Sequence, residues 1–84
     1  MSAASPALRD AVLASVAATC RPEHRDQVSE NSTLAGLGLD SLERITLAVA
    51  VEEATGLRIS DEALPSLRAV SDIISHLSWQ EART

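Results

Sequence analysis

Apolar residues in this chain recur every three or four positions and nowhere alternate with polar ones across a run bounded by turns, which confines it to helical architectures. Leu8, Val12 and Val16 stand four apart, with Ala11 and Leu13 widening the stripe. Pro6 suits a first helical turn and Pro22 an end, so the pattern predicts a first helix over about residues 5–19. Val70, Ile73, Ile74 and Leu77 repeat at helical spacing and predict a last helix over about 68–79, with Ser66 or Arg68 near its start. Phe and Tyr, which enrich strands, are absent.

Between these lies a second strong helix, expected over about 41–55. Asp40 is a good N-cap and Glu43 stands three residues on, a capping box with Asp in place of Ser or Thr. Gly56 is a good terminator. After a short connection at 57–60, Asp61 to Leu64 read as one turn of helix stopped by Pro65. Residues 20–39 show no period and read as a long loop. Val28, Leu34, Leu37 and Leu39 pin it to a core, and Gly36 and Gly38 allow tight turns just before position 40. The fold class is therefore all-α: a four-helix bundle with three main helices, one short third helix and a long loop between the first two.

With 84 residues the chain makes one domain, a core of about 6–78 with short flexible ends, Glu81 to Thr84 frayed. A chain this short buries roughly 60–65% of the surface it exposes when unfolded, so a deep catalytic cleft is hard to build. The net charge is -5, and every basic residue is Arg. Asp40, Glu43, Glu52, Glu53, Asp61, Glu62 and Asp72 outweigh Arg44, Arg58 and Arg68, so the negative field sits on the middle of the chain. Such a surface disfavours nucleic acid and anionic lipid and suits basic partners. A lone cysteine, Cys20, rules out an internal disulfide. Neither a signal peptide nor a membrane-spanning apolar run is visible, so the expected compartment is the cytoplasm. The initial Met and short ends point to a free-standing protein, although an excised domain looks the same.

The second helix carries two apolar sets: Leu47, Val51 and Ala54 on one face, Leu42, Ile45 and Val49 on another. Either both faces are covered, or the second is an exposed docking patch ringed by carboxylates. The stretch Leu37-Gly38-Leu39-Asp40-Ser41-Leu42 resembles the signature of acyl and peptidyl carrier proteins, whose serine receives 4'-phosphopantetheine. Leu34 to Leu57, with the paired Glu52-Glu53, is similar to the family's motif loop and recognition helix. Ile59, Asp61, Glu62, Val70 and Asp72 are similar to its later helices, so about residues 6–78 fit the layout.

The resemblance implies that Ser41 is the attachment point of a phosphopantetheine arm derived from coenzyme A, and that Asp40 fixes the first turn and meets the modifying transferase. It implies an acyl carrier that does no catalysis, holds cargo as thioesters, and delivers it as a monomer to partners such as a ketosynthase or acyltransferase of fatty-acid-like or polyketide synthesis. Leu42, Ile45 and Val49 would then form the apolar centre of the docking face, with Glu43, Glu52 and Glu53 meeting basic residues of partners. An attached phosphate at a helix start also gains from the unpaired N–H groups and positive dipole there. The alternatives are a peptidyl or aminoacyl carrier and, in another class, an unmodified interaction module using the same patch. Arg44, Thr46, Gly36 and Thr55 depart from the usual pattern and point to a specialised pathway.

Ala48, Ala50 and Ala54 raise two options for the core: closely approaching helices, or a void able to admit a short acyl chain; close packing favours the first. Other chemistry is poorly supported. His24, His76 and Cys20 do not make a zinc set. Ser41, His76 and Asp72 can be drawn as a triad but lack an oxyanion hole or nucleophile elbow. Trp79 either covers the end of the bundle or belongs to a loose tail.

Overall fold

A computed structural model describes residues 5–83 as three α-helices and two short 3-10 segments, with no strand among the described residues. Helix α1 spans Pro6–Thr19. Ser5 caps it, its side chain accepting the Leu8 N–H, and Pro6 occupies the first turn where no donor is needed. Its inner stripe of Leu8, Val12 and Val16 is buried, and the buried Ser15 hydroxyl is satisfied by donating to the Ala11 carbonyl. Cys20 is buried beyond the helix end, so it is a packing residue.

Helix α2 spans Ser41–Thr55 and stops at Gly56, which adopts the left-handed conformation glycine tolerates at a helix end. Helix α3 spans Val70–Arg83. It begins later than the apolar spacing suggests and runs through Glu81 to Arg83, where fraying was expected; Thr84 lies outside the described residues. The start is set by side-chain and loop partners. The Asp72 carboxylate accepts the N–H groups of Arg68 and Ala69, while Val70 and Ser71 donate to the carbonyls of Ser32 and Glu30. A packed α1 contacts both α2 and α3.

The long connection is more ordered than its lack of period suggests. Pro22–Gln27 forms a 3-10 segment with no buried residue, and Thr33 bridges to Ala69. Leu34, Leu37 and Leu39 are buried in the common core, as their apolar character requires. The second 3-10 segment is Leu64–Ser66, preceded by a turn at 61–63. Pro65 therefore sits inside the helical piece rather than stopping it, in its opening turn, where a missing N–H costs nothing.

Candidate functional site

Ser41 is the first residue of α2 and is exposed. Asp40 caps the helix: its Oδ1 accepts the Glu43 N–H at 2.8 Å, and Glu43 Oε1 accepts the Asp40 N–H at 3.1 Å. This reciprocal box holds the turn from both ends. The first backbone bond of the helix runs from Arg44 N–H to the Asp40 carbonyl, so the N–H groups of Ser41 and Leu42 have no helical acceptor. The Ser41 hydroxyl makes no hydrogen bond among the described residues, leaving its oxygen open for chemistry.

The approach to Ser41 is equally fixed. The N–H groups of Leu37, Gly38 and Leu39 donate to Thr33, Ala35 and Leu34 carbonyls, winding residues 34–38 into a turn. Gly38 has φ +76° within it, a conformation that L side chains resist.

The two faces of α2 separate as the exposed-patch reading requires. Leu47, Ala48 and Val51 are buried, whereas Leu42 is 72%, Ile45 50% and Val49 48% exposed. Ala54, grouped by spacing with the inner face, is exposed. Glu53 is exposed and makes no hydrogen bond among the described residues. Glu43 and Glu52 each have an internal task that spacing does not reveal: Glu43 completes the cap, and Glu52 Oε2 accepts the Ile59 N–H at 2.7 Å.

A cleft of about 530 Å3 opens beside the serine, lined by Ser41, Arg44, Ile45, Asp61, Leu64 and Pro65. The sequence carries no direct signal for it, because the 61–65 segment reaches α2 only through the chain reversal at Gly56. Ile45, Asp61 and Leu64 also line a neighbouring groove of about 450 Å3 that extends to Glu52, Arg58 and His76. The interior is nearly solid. The void among Leu47, Ala48, Leu64, Leu67 and Ile73 measures about 10 Å3, room for at most one water, so the alanines give close helix approach.

The competing chemistries are not assembled. No group of His, Cys, Asp or Glu among the described residues has a metal-binding arrangement. Asp72 spends its carboxylate on the start of α3 rather than on an imidazole. Trp79 is exposed on α3, so it does not cover the bundle end.

Comparison with known proteins places this geometry among others. Residues 10–77 match the family described as a phosphopantetheine attachment site. The acyl carrier protein of Zymomonas mobilis subsp. mobilis is 38% identical over 58 residues, 68% of this chain and 74% of that protein. The acyl carrier protein of Rhodococcus erythropolis is 36% identical over 53 residues, 63% of this chain and 58% of that protein. The meromycolate extension acyl carrier protein of Mycolicibacterium aurum is 34% identical over 59 residues, 70% of this chain and 61% of that protein. The chain thus spans about three fifths of the length of the last two relatives. No solved structure matches the chain.

Proposed function

The chain belongs to the phosphopantetheine attachment site family, and on that premise we propose that it is an acyl carrier protein whose Ser41 bears a 4'-phosphopantetheine arm. One observation carries the assignment to Ser41: an exposed hydroxyl with no intrachain bond, in the first turn of α2, inside the matched region. The surroundings fit such a graft. The N–H groups of Ser41 and Leu42 and the positive helix end favour an anion there, and the adjoining cleft is of the size of small-molecule sites, roughly 300–1,000 Å3.

Modification is a phosphoryl transfer at Ser41 Oγ. The Oγ–P bond forms, the pyrophosphate P–O bond of coenzyme A breaks, 3',5'-ADP leaves, and the hydroxyl proton passes to a base on the transferase. Asp40 and Glu43 hold the turn so that Oγ is presented without reorganisation. Once bound, the arm supplies a terminal thiol that carries the acyl group as a thioester.

The protein then acts by delivery and not by catalysis, as a single monomeric domain of the cytoplasm. No helix among the described residues is long and apolar enough to cross a membrane. Leu42, Ile45 and Val49 form the apolar centre that meets a transferase, ketosynthase or acyltransferase, and Glu53 is the acid freest to meet a basic partner. Relatives named as acyl and meromycolate extension carriers support acyl cargo of a fatty-acid-like pathway over aminoacyl cargo. Incubation with coenzyme A and a broad-specificity phosphopantetheinyl transferase tests the assignment. The intact mass should rise by one phosphopantetheine on the wild type and not on Ser41→Ala. An unmodified folded wild type would leave only an interaction module.

A further inference from the structure

Arg44 stands where backbone electrostatics disfavour it. It lies in the opening turns of α2, where the helix dipole is positive and a cation is destabilising unless an anion is near. The nearest acids in sequence do not serve as that anion, because the carboxylates of Asp40 and Glu43 are turned to each other's backbone in the capping box. Arg44 makes no ion pair among the described residues. Its Nε donates to the Leu39 carbonyl at 3.3 Å, which anchors the half-buried guanidinium beside the attachment loop and leaves both Nη groups unbonded.

Ser41 and Arg44 are three residues apart on one helix, so they share a face with Cβ atoms about 5–6 Å apart. Both line the 530 Å3 cleft, whose other walls include Ile45, Leu64 and Pro65. We infer that Arg44 is the counter-ion of the phosphodiester attached at Ser41 Oγ, and that it lays the first part of the arm into this cleft. The inference rests on the attachment proposed above. A guanidinium presents paired donors that match two phosphate oxygens, and partial burial limits screening of the charge. The two methyl groups that follow the phosphate in pantetheine find apolar walls in Ile45, Leu64 and Pro65. Arg44 is thus a positioning residue: it makes the arm's root a held joint rather than a free swivel.

The competing account is that Arg44 only lays its stem over the core, since it also lines the small void beside Leu34 and Leu47. The gain in Tm on modification separates the two. Wild type, Arg44→Gln and Arg44→Lys are compared as apo and holo forms, each confirmed by intact mass. Modification is expected to raise the wild-type Tm by about 4–8 °C, with less than half of that gain in Arg44→Gln and most of it in Arg44→Lys. Equal gains in wild type and Arg44→Gln overturn the inference, even if both forms of the variant melt lower. Should Arg44→Gln fail to fold, the 15N resonances of the Arg44 guanidinium in wild type decide. They shift on modification if the pair forms, and their constancy overturns it. A wild type that gains no mass defeats the attachment reading itself, and this inference with it.

Discussion

The side-chain amide of Gln80, on α3, pairs with the backbone of Arg58: Oε1 accepts the Arg58 N–H at 3.3 Å, and Nε2 donates to the Arg58 carbonyl. One side chain thereby satisfies both polar groups of a residue that belongs to no regular element. The pair ties the connection after α2 to the far end of α3, and both residues line the groove that leads away from Ser41. Gln80→Ala should cost about 0.5–1.5 kcal/mol in urea unfolding. Hydrogen exchange at the Arg58 amide should quicken more than at core amides of α1. Unchanged exchange at Arg58 would show the pair to be incidental.

Glu52 holds the same connection from the α2 side. Its Oε2 accepts the N–H of Ile59, whose side chain is buried. Removing the acceptor leaves a part-buried donor unpaired, so Glu52→Ala should destabilise by about 1–3 kcal/mol. Glu52→Gln keeps an acceptor oxygen and should cost less than half as much. Equal losses in the two variants would mean that charge, not the hydrogen bond, is what Glu52 contributes.

Leu42 and Leu47 are the same residue type on one helix, with opposite surroundings: 72% and 2% exposed. Leu47→Ala should cost about 2–5 kcal/mol by opening a cavity. Leu42→Ala should stay within about 0.5 kcal/mol of wild type, yet lower kcat/KM for modification by roughly tenfold if Leu42 is a docking anchor. Thermal melts and transferase kinetics check both halves. A Leu42→Ala protein modified at the wild-type rate would remove Leu42 from the docking face.

The parts legible in the sequence are those whose signals are local. The bounds of α1 follow from Pro6 and its apolar stripe, and those of α2 from the Asp40–Glu43 box and Gly56. The exposed trio Leu42, Ile45 and Val49 was legible because a thin bundle cannot cover two faces of one helix. The segment Pro22–Gln27 was hidden because it buries nothing and so leaves no apolar period. The start of α3 depends on Ser32 and Glu30, carbonyls some forty residues upstream, and its long end is held in part by Gln80 on Arg58. At the site, Ser41 and Asp40 could be placed from sequence, while the second role of Glu52 and the cleft shared by Arg44 depend on how the chain folds back after Gly56.

Gly38 and Gly56 allow backbone strain to be separated from an effect on the attachment loop. Both have positive φ, +76° and +74°. A Cβ at Gly56 would meet nothing within 4 Å, and one at Gly38 would meet His24 Nε2 only at 3.5 Å, an ordinary contact. Alanine at either position should therefore cost a similar amount, about 1–2 kcal/mol, from the left-handed conformation alone. Their consequences for function should differ. Gly56 ends α2 far from its first residue, whereas Gly38 lies in the turn whose bonds to Thr33, Leu34 and Ala35 aim the chain at Asp40. If the loop relaxes in Gly38→Ala, the capping box receives a displaced strand of backbone and Ser41 is presented less often in the productive pose. Transferase kinetics on the folded fraction should show a several-fold lower kcat/KM for Gly38→Ala than for Gly56→Ala. Matching rates for the two would mean that the box at Asp40 and Glu43 holds Ser41 without help from the turn before it.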